Sequence, residues 1–176
     1  MNPKYFYQGY IADNILDALD TRLAQEVILY DPESVLEFGA GSGKNLKLIK
    51  SFNPNIETFG LDISILNVIQ MKFNGVDCCI CGDERHIPLR KFDVVLTCSV
   101  LDHIQEIENI IGHFQEIATK AIILAETNSI DDPEKFYYKH DYESYGFEKL
   151  DFEFQSDSDG CLYHIWVKKM PCVESR

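Results

Sequence analysis

Ser34-Val35-Leu36-Glu37-Phe38-Gly39-Ala40-Gly41-Ser42-Gly43-Lys44 joins a short apolar strand to three glycines at alternate positions. A helical pattern, Lys44 to Phe52, follows and ends at Asn53-Pro54. Glycine takes positive φ without a Cβ penalty, so such a turn bends a strand sharply into a helix whose first amides face a ligand. Spacing then separates the ligand classes. A P-loop holds four residues between its glycines and continues with Lys and Ser/Thr. Here Gly39 and Gly43 enclose three, and Lys44 precedes Asn45, which has no hydroxyl for magnesium. The dinucleotide fingerprint needs glycine five places after its first. Lys44 stands there counted from Gly39, and Leu46 counted from Gly41. Both nucleotide motifs fail.

Outward from this turn the chain alternates. Ile11, Ile15, Leu19, Leu23 and Val27 form an apolar stripe at helical spacing, stopped at Asp31-Pro32. Ile56 to Leu61 reads as a strand closed by Asp62, and Ser64 as the N-cap of a helix reaching Asn74-Gly75. Val76 to Cys81, Phe92 to Cys98 and Ala121 to Ala125 are further strands, with a helix marked by Ile104, Ile107, Ile111, Phe114 and Ile117 between the last two. Phe147 to Phe154 and Cys161 to Lys168 flank the turn formers Ser156 to Gly160, an antiparallel hairpin. Five strand units separated by helices predict a mostly parallel sheet covered on both faces. Ligands of such sheets bind beyond the carboxyl ends of the strands. The glycine turn, Asp62, Asp83 and Cys98-Ser99 all fall there.

The 176 residues suit one domain, 1–176, with no repeat or linker. Its parts are an N-terminal helix and lid region (1–30), a core (34–126) and a closing hairpin (147–168). The net charge is −13, from 16 basic and 29 acidic residues, and no basic run exceeds a pair such as Arg90-Lys91. Nucleic-acid binding draws on Lys and Arg neutralising phosphates, so a nucleic-acid partner is not expected and a cationic ligand fits better. No apolar run approaches the ~20 residues of a membrane span, and no membrane association is expected. The segment Met1 to Tyr7 lacks the apolar core of a secretory signal, so the expected location is cytoplasmic. The six cysteines form no C-x-x-C pair; Cys78, Cys79 and Cys81 read as small apolar residues on a buried strand, and no metal is expected.

With these residues in place, the sequence resembles the class I S-adenosylmethionine (SAM)-dependent methyltransferases, on the small-molecule side of that family. Glu37-x-Gly39-x-Gly41-x-Gly43 matches the first motif, including the acid two places before the first glycine. Gly60-Leu61-Asp62-Ile63-Ser64 is similar to the second motif and Gly82-Asp83 to the third. Phe92 to Ile104 resembles the fourth and the segment after it. The resemblance covers about residues 30–126 in detail. It implies a Rossmann-like, doubly wound α/β fold: a mostly parallel seven-stranded sheet with a C-terminal antiparallel hairpin and helices on both faces.

The resemblance also implies a cofactor, SAM, and its product S-adenosylhomocysteine, held by Glu37, Gly39, Ala40, Gly41, Gly43, Asp62, Ile63, Asp83, Glu84, Cys98 and Ser99. Asp62 would accept from the ribose hydroxyls and Asp83 from the adenine amino group. The Glu84 amide would face a ring nitrogen, and the Gly39 and Cys98 carbonyls the ammonium. Glu37 would mainly hold the glycine loop and its hydrogen-bond network. Each acid also has a local reading, Asp62 as a helix cap and Asp83 as a turn residue. Methyl transfer needs proximity and alignment, plus a base where the acceptor begins protonated. His103 is the candidate base. Tyr7 and Tyr10 are candidate substrate contacts together with His103. The aromatics Tyr137, Tyr138, His140 and Tyr142 read as lid or as core. No Asn/Asp-Pro-Pro-aromatic tetrapeptide follows the fourth strand, which argues against methylation of nucleobase amines. The expected acceptor is a small molecule. The alternative is a catalytically silent SAM-binding subunit docking a basic protein, and a homodimer is left open.

Overall fold

The computed structural model describes residues 16–127, 131–156 and 160–171. Seven strands form one sheet: β1 (Ser34–Phe38), β2 (Glu57–Asp62), β3 (Cys78–Cys81), β4 (Phe92–Cys98), β5 (Ala118–Thr127), β6 (Glu148–Gln155) and β7 (Leu162–Lys169). Their order is β3-β2-β1-β4-β5-β7-β6. The first five run parallel, and β7 is antiparallel to both β5 and β6. The order reverses between β1 and β4, which neighbour each other without being consecutive. Their carboxyl ends therefore stand at the switch point where ligands of such sheets bind.

Period-two alternation divides the sheet's side chains between two cores. Val35, Val94, Leu96, Ile123 and Ile165 face one layer, covered by α1 (Ala18–Ile28), α2 (Lys44–Phe52) and α3 (Ile65–Phe73). Leu36, Phe38, Val95, Leu124 and Trp166 face the other, covered by α4 (Glu108–Ile117) through Ile110, Ile111 and Phe114. Both faces carry helix, as expected, but unequally among the described residues. Short 3₁₀ turns, Glu84–His86 and Tyr142–Tyr145, stand between β3 and β4 and between β5 and β6.

Local chemistry explains the element ends. Asp17 and Asp20 form a reciprocal capping box at the start of α1: the Asp17 carboxylate accepts from the Asp20 amide at 2.9 Å and Asp20 from the Asp17 amide at 3.0 Å. Residues 11 and 15 of the predicted stripe lie outside the described residues. After α3 the Val76 amide donates to Met71 O and the Gly75 amide to Lys72 O, the paired bonds of a Schellman stop. Two boundaries differ from expectation. Ser64 occupies the N-cap of α3, yet its hydroxyl makes no capping bond; Asp62 accepts from the Ser64 amide instead. The helix expected from Ile104 begins only at Glu108, because a 3₁₀ turn, Leu101–His103, ends on an extended Ile104. The cysteine strand is also not buried. β3 is an edge, so Cys78 and Cys79 are half-buried and Cys81 is exposed.

Candidate active site

The glycine turn is built from its backbone. Gly39 and Ala40 donate to Leu61 O at 2.8 and 3.0 Å, tying the turn to β2. Gly39, Gly41 and Gly43 have φ of 71°, 54° and 78°. At Gly39 a second constraint is added: a Cβ there would lie 2.3 Å from Val100 Cγ2. The turn therefore packs directly against the segment after β4. Gly43 stands at the N-cap of α2 and provides no side-chain capping bond.

Glu37 stands beneath the turn, buried. Its Oε1 accepts from Asn45 Nδ2 at 2.7 Å, while Oε2 is buried with no hydrogen-bond partner. Burial pushes its carboxyl up to about 8, with repulsion from Asp20 and Asp62 adding to it and the Asn45 bond opposing it. Buried Asp20 of α1 pairs with Lys44 of α2 at 3.0 Å. Burial raises the Asp20 carboxyl, and Lys44 opposes that. Glu37 was expected at the site from its motif; Asp20 was not. The signal for Asp20 was an acid four residues before Ala24, on the apolar side of α1.

At the end of β2, Asp62 Oδ2 accepts from the Gly41 amide at 2.8 Å. Its Oδ1 accepts from the Ser64 amide at 2.8 Å and Asn67 Nδ2 at 3.1 Å. Asp62 thus fastens the glycine turn to α3, so the capping reading is present alongside any ligand role. Each carboxylate oxygen has two acceptor sites; Oδ2 uses one here. Ile63 is half-buried beside it, its carbonyl near the Cys81 thiol. At the end of β3, Asp83 is buried and engaged. It accepts from Arg85 Nε at 3.1 Å and Arg85 NH2 at 2.7 Å, and pairs with His86 Nδ1 at 2.9 Å. The Arg85 guanidinium on Asp83 is itself largely exposed. Glu84, exposed, opens the following turn.

At the end of β4, burial and the nearby acids Asp20, Glu37 and Glu126 push the Cys98 thiol up, so it stays a neutral thiol rather than a nucleophile. Ser99 adopts φ 54°, strained for a residue with a Cβ. It is held there by its amide on Ala125 O at 2.9 Å and its hydroxyl 3.1 Å from Tyr163 Oη. The next residues are held by Glu126, fully buried at the end of β5. Its Oε2 accepts from the amides of Val100 (2.9 Å), Leu101 (3.1 Å) and Asp102 (3.4 Å), and Thr97 donates to Oε1. Burial and the neighbouring Asp102 raise the Glu126 carboxyl to about 8, against those donors. Sequence reasoning missed Glu126, although an acid directly after a buried strand was the very pattern that singled out Asp62.

This clamp presents His103. Its Nδ1 lies 2.9 Å from the carbonyl of Phe136, its ring centroid 4.8 Å from that of Tyr137, and its Nε2 3.8 Å from Asp102 Oδ1. A carbonyl only accepts, so the proton of neutral His103 sits on Nδ1 and the lone pair on Nε2. Of the second aromatic group, Tyr142 is buried against Trp166 at 4.8 Å and belongs to the core, while Tyr137 backs His103. Tyr7 and Tyr10 lie outside the described residues. Among the described residues, no group of three His, Cys, Asp or Glu is placed to hold a metal, and no helix is long and apolar enough to cross a membrane.

The features fit the cofactor the motifs imply: a glycine turn where a Cβ would collide, and beneath it a buried carboxylate oxygen with no hydrogen-bond partner, suited to a cationic group. Fold and site together define a class I methyltransferase. The chain belongs to the methyltransferase-domain family, whose model matches residues 4–157, and it is a SAM-dependent enzyme of that family. No curated protein matches the sequence. Solved structures share the fold at low identity. The magnesium protoporphyrin IX methyltransferase of Synechocystis PCC 6803 with bound SAM aligns at 15% identity and TM-score 0.64, covering 91% of this chain and 87% of its own. The plantazolicin methyltransferase BpumL, with a triazolic analogue and S-adenosylhomocysteine, aligns at 15% and 0.64, covering 88% and 86%. The [4+2]-cyclase SpnF aligns at 15% and 0.70, covering 97% and 91%. One fold carries both chemistries, so function rests on the site.

Proposed function

We propose that this protein methylates a small-molecule acceptor held against the segment Cys98–His103, with His103 as general base. The observation that carries the reading is the contact of His103 Nδ1 with Phe136 O at 2.9 Å, which orients the imidazole at the end of the segment after β4. When bound, SAM supplies an electrophilic methyl carbon with a neutral thioether as leaving group. The residues do the rest. Gly39 and Cys98 carbonyls and Glu37 Oε2 meet the ammonium end, and Asp62 Oδ2 takes a ribose hydroxyl with its remaining acceptor site. Asp83 and the Glu84 amide meet adenine. The Glu126 clamp and the Ser99 turn fix the acceptor side, which turns binding into alignment. A small acceptor is supported by the −13 charge, unsuited to phosphate backbones, and by the absence of the Pro-Pro-aromatic motif.

The test is a metabolite screen with isotopically labelled SAM, read by mass spectrometry, followed by His103→Ala on the acceptor found. The variant should bind SAM as wild type does and lose turnover roughly 10²–10⁴-fold. Full activity in the variant would remove His103 from the chemistry. SAM binding with no labelled product from any acceptor class would make the chain a cofactor-holding subunit.

A further inference from the structure

Helix α3 is apolar on both sides. Val68 and Met71 are buried against the sheet, yet Ile65, Leu66, Ile69 and Phe73 on the outside are 53%, 42%, 45% and 87% exposed. A helix with one face in water ordinarily carries charge on that face. From Ile63 to Val76 there is no Asp or Glu, in a chain where 29 of 176 residues are acidic, and Lys72 is the single charge. Beside it runs β3, an edge strand of four residues paired only with β2.

We propose that this face is the contact between two copies of the chain related by a twofold axis. Charge selects the occupant. Two molecules of net charge −13 repel over most of their surfaces, and this acid-free face is where they meet without opposing carboxylates. A basic protein would seek carboxylates, and an anionic lipid surface would seek several cations; the face offers neither. Shape agrees. Ile65, Ile69 and Phe73 stand four residues apart in one row, and Ile69 is its centre. An antiparallel pair with Ile69 on the axis sets Ile69 against its mate and Ile65 over the mate's Phe73, the self-complementarity an isologous contact requires. The proposal stands apart from the methyl-transfer reading, since none of Ile65, Leu66, Ile69 and Phe73 is assigned to the cofactor or the acceptor.

Sedimentation velocity from low to high micromolar protein tests it. Wild type should be a dimer, strengthened by added salt as the −13 charges are screened. Ile69→Glu and Phe73→Glu should each be monomeric, with unchanged circular dichroism and SAM affinity. Ile69→Cys should form a disulfide-linked dimer under mild oxidation where wild type, with its exposed Cys81, does not. A wild type that stays monomeric throughout, or a dimer that survives both Glu variants, overturns the proposal.

Discussion

Glu37 carries an uncommon combination: a buried carboxylate, one oxygen satisfied by Asn45 and the other by nothing. Because its carboxyl is pushed up to about 8, a large share is protonated near neutrality. A ligand that brings a cation next to Oε2 favours the charged form and expels that proton. Calorimetric titration of SAM at pH 7 in two buffers of different ionisation enthalpy should therefore give different apparent enthalpies, with net proton release. Glu37→Gln should abolish the difference and weaken binding by the ~1.5–3 kcal/mol of a charge-assisted bond. Equal enthalpies in both buffers would place Glu37 outside the ligand's reach. The motif made Glu37 visible in sequence as a loop anchor, which its bond to Asn45 supports. Its orphan oxygen was not visible, because satisfaction is a property of neighbours, among them Asp20 from a different helix.

The segment after β4 is one element whose shape comes from another. Apolar spacing pointed to a helix from Ile104, but the chain makes a 3₁₀ turn at Leu101–His103, where Glu126 on β5 collects the amides of residues 100–102, and α4 starts only at Glu108. Glu126→Ala would orphan three amides, two of them buried, and the buried Thr97 hydroxyl at once. Each unsatisfied group costs about 1–3 kcal/mol, partly relieved by water entry. We expect a loss of roughly 3 kcal/mol in urea unfolding, a smaller loss for Glu126→Gln, and a fall in turnover exceeding any fall in SAM affinity as His103 loses its position. A Glu126→Ala protein as stable as wild type would show that the clamp contributes nothing. Period and propensity describe a segment's own preference; here backbone donors were captured from 24 to 26 residues away in the chain.

At the scale of the molecule, two buried acids bias stability with pH. Glu37 and Glu126 both titrate near 8 when folded, against an ordinary 4.5. A raised acid favours the folded state while protonated; that contribution is complete below about 4.5 and is lost as pH climbs through about 8. The thermal midpoint should thus fall between pH 5 and pH 9. Each pH unit in that window is worth up to about 1.4 kcal/mol per group, and 1 kcal/mol moves the midpoint of a domain this size by ~2–4 °C. Below pH 4 the sign reverses, because Asp77 and Asp93, held low by bonds to Lys50, Lys120 and backbone amides, begin to protonate. Glu37→Gln should flatten the alkaline slope in differential scanning calorimetry. An unchanged slope in that variant would show that Glu37 is ionised in the folded state across the range.

What the amino-acid order determined alone was everything local or periodic. The glycine turn, the β4 boundaries at Phe92 and Cys98, the hairpin and the acids Glu37, Asp62 and Asp83 at strand ends were all legible. Each is encoded within a few residues, by Cβ sterics or by alternation. Tertiary structure decided which of those groups touch. It paired Asp20 with Lys44 across two helices, gave Asp83 to Arg85, put Glu126 under the loop that carries His103, and moved the cysteine strand from the expected interior to an edge. It also left α3 with apolar side chains facing outward. The physical reason is the same throughout. Hydrogen bonding, burial and charge repulsion depend on separation in space, and residues far apart in the chain have no signal in common until the sheet brings them together.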